Sequence, residues 1–293
     1  MKHFRSNKKA IFLLTFPALF IFSVVVIYPL LQTFYRSFFE WNGLSQPRYI
    51  FLENYKSLLH DDIFYTSLYN GAIFALILTV FQLGIGSVLA FILLENKVFG
   101  KKILRTSYFI PVVLSVTVVC QLWLTMYNAQ FGLINKIFEL LHFTYRQDWL
   151  GDTNLSIIAI TVVASWQFMG YQFAIIYAGM KTIPEHIYEA AKLDGASKVK
   201  THLKITIPLM AETYRICLIF ALIGGLTAYG YMNIMTGGGP GTSTYTLTYQ
   251  MIRSAFVMNE IGYGSASAVV LILECFVVTL IINRFIARER ITY

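Results

Sequence analysis

Residues 68–94 read LYNGAIFALILTVFQLGIGSVLAFILL, an apolar run of 27 residues with no charged side chain. A hydrocarbon core about 30 Å thick takes about 20 residues of helix to cross. Lipid offers the backbone no hydrogen-bond partners, so a run of this length satisfies its N–H and C=O groups only as a helix. Five further runs share its character, at 11–35, 103–127, 155–180, 215–236 and 264–286. The expected fold is an all-α membrane protein with six transmembrane helices, residues 1–10 forming a tail and 11–290 a single transmembrane domain. Composition agrees: 57% of residues are hydrophobic, 13% are charged and mean hydropathy is +0.61, far from the balance of a soluble domain.

The formal net charge of +8 reads as orientation. Lys2, Arg5, Lys8, Lys9, Lys97, Lys101, Lys102 and Arg105 fall on one side of the membrane. So do Lys181, Lys192, Lys198, Lys200, Lys204, Arg215, Arg284, Arg288 and Arg290, making 17 of the 23 cations. Arg36, Arg48, Lys56, Lys136, Arg146 and Arg253 fall on the other side. Lys and Arg in short loops collect on the cytoplasmic face, so both termini are expected there, in a multi-pass protein of a bacterial cytoplasmic membrane. The basic excess then meets anionic lipid headgroups, not nucleic acid. The first run is too long for a cleaved leader, and Tyr28-Pro29 stands where a small-residue cleavage site would be. Cys120, Cys217 and Cys275 lie within the expected spans and read as packing residues with no disulfide framework.

Between the fourth and fifth runs, residues 181–212 carry the signals of an ordered polar loop. Thr182 and Glu185 have the spacing of a capping box, with Pro184 in the first turn. The helix should run to Asp194, where Gly195 ends it in the left-handed region. Ser197 can cap a second short helix that must end or kink before Pro208. The expectation is a helix–turn–helix on the cytoplasmic surface, either a solvated connector or a docking element. On the outer side, residues 36–67 carry Trp41, Tyr49, Phe51 and Tyr55, suited to the interface, with a short helix at 54–59. Residues 132–138 form an amphipathic stretch, and Asp148-Trp149-Leu150-Gly151-Asp152 a polar turn.

After the fifth run comes Thr236-Gly237-Gly238-Gly239-Pro240-Gly241-Thr242. Three glycines and a proline cannot continue a helix, so an external turn is expected. No strand precedes these glycines and no lysine follows, which argues against a phosphate cradle; no Gly-x-x-x-x-Gly-Lys-Ser/Thr segment occurs anywhere. His3, His60, His142, His186 and His202 all fall outside the spans, and no span holds two carboxylates or a Cys/His cluster. No catalytic residue and no metal site is expected, which disfavours an integral-membrane enzyme. Glu274, in the sixth run, is either functional or a packing acid at a subunit interface. Ser115, Thr117, Gln121 and Trp123, the string from Trp166 to Phe173, and that from Gly224 to Asn233 mix aromatic faces with amides, hydroxyls and glycines. Sugar sites between helices have such linings; so does ordinary helix packing.

Glu189-Ala190-Ala191, three residues, Gly195, nine residues and Ile205-Thr206-Ile207-Pro208 resemble the EAA loop of ABC importer membrane subunits, with Ile207 where the pattern has Leu. The Thr-Gly-Gly-Gly-Pro turn looks like that of carbohydrate importer permeases. Leu104-Arg105, Pro111-Val112-Val113-Leu114-Ser115, Phe131-Gly132-Leu133-Ile134-Asn135, Trp149-Leu150-Gly151 and Gly262-Tyr263-Gly264-Ser265-Ala266 agree. The resemblance, over about 10–290, is to binding-protein-dependent inner membrane components, specifically the first permease of maltose, glycerol-phosphate and multiple-sugar importers.

That resemblance implies a second homologous permease, two copies of an ABC ATPase that binds ATP and Mg, and an external solute-binding protein. It implies that Glu189, Ala190, Ala191, Asp194, Gly195 and Pro208 couple to the ATPase. It places Val112, Ser115, Val116, Met169, Gly170, Phe173, Gly225, Ala228 and Tyr229 along the substrate pathway. No cofactor belongs to this chain. Runs two to five hold no Lys or Arg beyond their cytoplasmic ends, so the expected cargo is a neutral oligosaccharide; an anionic sugar or a glycerol-phosphate-type solute is the alternative. A stand-alone secondary transporter or channel would differ in needing no ATPase.

Overall fold

The computed structural model describes residues 8–94, 99–143 and 145–286. Residues 1–7, Lys97, Arg288 and Arg290, all used in the orientation argument, lie outside them. In chain order the elements are α1 (Lys8–Phe22), a π-helical turn (Ser23–Ile27), α2 (Tyr28–Arg36), β1 (Phe39–Glu40), β2 (Arg48–Tyr49), α3 (Glu53–Leu59) and α4 (Asp62–Leu94). Next come α5 (Lys101–Val113), α6 (Val116–Met126), α7 (Leu133–Leu140) and α8 (Ser156–Met180). The loop holds α9 (Glu185–Leu193), α10 (Lys198–Thr201), a second π turn (His202–Thr206) and α11 (Ile207–Leu209). The chain ends with α12 (Ala211–Leu226), α13 (Gly230–Met235), α14 (Leu247–Phe256) and α15 (Ile261–Ile286).

Among the described residues, four helices are unbroken over a membrane's width: Ile11–Arg36, Asp62–Leu94, Ser156–Met180 and Ile261–Phe285. They match the first, second, fourth and sixth apolar runs. The third is not one helix, as expected at 103–127, but α5 and α6 bent by 99°. Pro111 removes a backbone donor, Leu114 is extended at φ −71° and ψ 144°, and Ser115 starts α6 by accepting the Val118 N–H at 3.3 Å. The fifth run, expected as a helix over 215–236, stops at Leu226, and the chain re-forms a helix only at Gly230. In both breaks the freed carbonyl has a side-chain donor: Gln167 Nε2 to Leu114 O at 2.9 Å, and Thr248 Oγ1 to Leu226 O at 2.8 Å. Irregular backbone is tolerated at membrane depth only with such partners.

Both π turns end two residues before a proline, Pro29 and Pro208. A proline lacks the N–H and crowds the carbonyl four residues back, and the wider turn relieves that crowding. The helix therefore passes through Pro208, in place of the expected end or kink before it, and the 78° bend falls after it, between α11 and α12, at Met210.

The chain divides into two compact units. One comprises residues 1–61 and 251–270. There β1 and β2 pair antiparallel, Phe39 opposite Tyr49. Buried Asn54, on α3, donates to Ser37 O at 2.8 Å and Phe39 O at 2.9 Å, and Tyr263 Oη donates to Asp61 at 2.5 Å. The other comprises residues 62–250 and 271–293. Its centre is the long pairing of α4 with α8, onto which α12 and α5 pack. Phe74, Leu78, Val119, Ile160, Val163 and Met232 form one buried cluster; Ala90, Leu93, Ile176, Met180 and Cys217 form a second, nearer the 181–212 loop.

Candidate functional site

The loop after α8 is mounted firmly and exposed outward. Thr182 does not cap α9: its hydroxyl donates to Gly179 O at 2.8 Å, the carbonyl that also takes the Thr182 N–H at 3.1 Å, and Pro184 takes the N-cap position with no side-chain cap. The expected capping box therefore does not form. Gly195 does end α9 in the left-handed region, at φ 72°. Its N–H reaches Lys192 O at 3.1 Å and that of Ala196 reaches Ala191 O at 3.0 Å, the paired bonds of a Schellman-type stop. Ser197 caps α10 by accepting the Lys200 N–H at 3.4 Å.

Ile183 and Met210 are buried with Leu93 and Met180, and Ile187 and Tyr188 pack on the same cluster. The His202 ring stacks on Phe91 of α4, centroids 4.3 Å apart. The opposite face carries Glu189, Ala190, Asp194, Gly195, Val199 and Leu203 exposed, with Leu193 at 89%. Ala191 is buried at 5% while its neighbour Ala190, about 100° round the helix, is exposed, so of the two alanines Ala190 is the one free to meet another molecule. Pro208 is half-buried.

The residues expected along the pathway fall into groups. Val116, Ala228 and Tyr229 share one cluster, and a Cβ added to Gly230 would sit 3.1 Å from Val116. Tyr229 stacks on Tyr249 with centroids 5.9 Å apart. Ser115 is exposed at the α5–α6 break, and Val112 and Met169 are half-buried. Gly170 and Gly225 are packing positions. A Cβ on Gly170 would lie 1.9 Å from Tyr108 O, and one on Gly225 2.7 Å from Ala75 Cα. Phe173 is buried between Tyr108 and Tyr177. The sequence string from Trp166 to Phe173 hid one specific role: Gln167 gives its amide to the Leu114 carbonyl and takes the Tyr231 hydroxyl at 2.6 Å.

The glycine-rich turn is anchored, not free. Gly237, Gly238 and Gly241 have positive φ, and at Gly238 a Cβ would meet the Tyr245 ring at 2.4 Å. Tyr249 Oη donates to Gly237 O at 2.5 Å, and Gly239 O takes the Thr244 hydroxyl at 3.1 Å. Pro240 is half-buried. Asn70 on α4 holds Ser243 O at 3.0 Å, and Ser156 on α8 meets the Ser243 hydroxyl at 3.0 Å. Two other segments quoted for the resemblance also meet. Asn135 donates to Ala129 O at 3.1 Å and Gln147 O at 2.8 Å, and accepts from Trp149 Nε1 at 3.1 Å. Beside them Asp152 accepts the Asn154 N–H at 2.8 Å and the Gln147 amide at 3.0 Å, which holds its carboxyl below the usual range. Glu274 is half-buried within α15, and the three cysteines are free. Among the described residues no three His, Cys, Asp or Glu side chains gather as metal ligands.

Comparison with known proteins gives this arrangement a family. Residues 82–291 match the model of the binding-protein-dependent transport system inner membrane component. The chain is 34% identical over 283 residues to the probable ABC transporter permease protein YurN of Bacillus subtilis, covering 95% of this chain and 96% of that one. It is 33% identical over 277 residues to the sulfoquinovosyl glycerol transport system permease protein SmoG of Agrobacterium fabrum, covering 94% and 89%. Its fold is that of a bacterial alginate ABC transporter solved in complex with alginate pentasaccharide-bound periplasmic protein, with TM-score 0.82 at 18% identity, over 98% and 97% of the two chains. This chain belongs to the family of binding-protein-dependent transport system inner membrane components, the permeases of ABC transporters.

Proposed function

We propose that the chain forms half of the membrane passage of an ATP-driven carbohydrate importer. A second homologous permease supplies the other half, two copies of an ATPase bind ATP and Mg on the cytoplasmic side, and an external solute-binding protein delivers the sugar. The names of the sulfoquinovosyl glycerol permease and of the alginate importer with its periplasmic protein support the carbohydrate and the delivery partner. The distribution of Lys and Arg supports cytoplasmic termini in a bacterial cytoplasmic membrane.

The observation that carries the reading is the two-faced loop: buried anchors on α4, α8 and α12, and an outward face of Glu189, Ala190, Leu193, Val199 and Leu203. Closure of the ATPase dimer would push this face, and the anchored helices would move with it as a rigid body between inward- and outward-open states. The half-buried and exposed lining around Ser115, Val116 and Tyr229 offers hydroxyl, apolar and aromatic surface without a cation. That suits a neutral oligosaccharide.

Leu193→Asp combined with Leu203→Asp tests the dock, because both side chains are exposed and folding does not need them. Each buried leucine contributes about 1.5–3 kcal/mol to an interface, so the ATPase should be lost on purification and uptake should stop while permease abundance holds. Stoichiometric ATPase on the double variant would refute the dock. Uptake by the wild-type complex in proteoliposomes, with neutral and anionic sugars in parallel, decides the cargo.

A further inference from the structure

Between α5 and α8 runs a groove of about 440 Å³ that shares Phe173 with the expected substrate pathway but is lined otherwise by residues to which no transport step above gives a role. At one end the Arg105 guanidinium lies over the Tyr177 ring, 4.2 Å from its centroid, and donates to the Tyr177 hydroxyl. Lys181 Nζ lies 5.8 Å from the same centroid. From there the wall is apolar: Phe109, Ile110 and Val113 on α5, Phe173 and Ala174 on α8. The eight steps from Arg105 to Val113 carry this wall about 12 Å along the helix. Thr106 offers no free donor, because its hydroxyl donates to Lys102 O at 3.0 Å.

This polarity fits one kind of occupant. A sugar needs polar partners around its whole rim, and a free anion gains nothing from an apolar wall. An amphiphilic anion uses both ends. A guanidinium carries five N–H donors; the Tyr177 hydroxyl takes one, and no carboxylate of the described residues pairs with the rest. The remaining fork matches a phosphate in bidentate fashion. Lys101 and Lys102 at the start of α5 raise the positive potential at the same end.

We infer that the α5–α8 groove binds one anionic phospholipid of the cytoplasmic leaflet, its phosphate on Arg105 and an acyl chain along Ile110, Val113 and Ala174. The choice of leaflet rests on the orientation proposed above; the binding itself does not. The test uses the assembled transporter in bilayers of phosphatidylethanolamine and phosphatidylglycerol, followed by stepwise delipidation and native mass spectrometry. The wild type should retain phosphatidylglycerol over phosphatidylethanolamine, Arg105→Gln should lower that retention at least tenfold, and Arg105→Lys should fall between them. Retained ATPase on each variant shows that assembly is intact, and loss of ATPase from the wild type would count against the transport reading alone. Equal retention of the two lipids, or unchanged retention in Arg105→Gln, overturns the lipid site. So does an Arg105→Gln defect confined to solute-stimulated ATPase activity, which would make the groove part of the solute path.

Discussion

Gly195 and Gly170 are under opposite constraints. At Gly195 the backbone is left-handed, φ 72°, and a Cβ would meet nothing within 4 Å. Valine there costs about 1–2 kcal/mol of backbone strain and no clash. At Gly170 the backbone is ordinary helix, but a Cβ would lie 1.9 Å from Tyr108 O, so even alanine must force α5 and α8 apart, at about 1–3 kcal/mol. Because the strain at Gly195 falls on an exposed turn outside the packed helices, Gly195→Val should lose uptake with little change in melting, whereas Gly170→Ala, which parts two packed helices, should melt early and accumulate poorly. Thermal melting alongside uptake tells the two apart; a Gly195→Val protein with normal uptake would detach the turn from coupling. The first role was legible in the sequence because a helix stop, a glycine and the Ser197 cap are neighbours. The second was not, since the carbonyl that excludes a side chain comes from 62 positions upstream.

At the scale of elements, apolar length located the four unbroken helices, with charge-free stretches such as 68–94 leaving little choice, and it located the two bent pairs that make up to six spans if each counts as one. The interruptions at Leu114 and Leu226 were harder to read, because what stabilises them is remote. Pro111 and Ser115 hinted at the first, but the donors that satisfy the two carbonyls are Gln167 and Thr248, on other helices. The α7–α8 connector gives a prediction of its own. Asp152 is held below the ordinary carboxylate range chiefly by the Asn154 N–H and then by the Gln147 amide. A depressed carboxyl contributes stability that is full above its unfolded value, near 3.8, and fades as pH falls through the lower folded value. Limited proteolysis at 145–154 should be constant from neutral pH to about pH 4 and rise below it. Asp152→Asn should remove that acid step; if it persists unchanged in the variant, another group governs the connector.

For the whole molecule, the bias in Lys and Arg makes a claim about sides that labelling can check. In a background lacking Cys120, Cys217 and Cys275, a cysteine at Leu44, 94% exposed on the β1–β2 turn, should react with an impermeant thiol reagent on intact cells. One at Leu193, 89% exposed, should react only after the membrane is opened. Labelling of position 193 from outside would invert the chain and take the docking face away from the cytoplasm. The relay from the Tyr231 hydroxyl through Gln167 to the Leu114 carbonyl spans steps of 64 and 53 residues. One amide there serves as acceptor and donor at once, so no single replacement at position 167 by an apolar residue leaves both neighbours satisfied. Straightening the third helix would free the amide, and losing the tyrosine hydroxyl would leave it half used. The bend at Leu114 and the packing of Tyr231 therefore stand or fall together through one side chain.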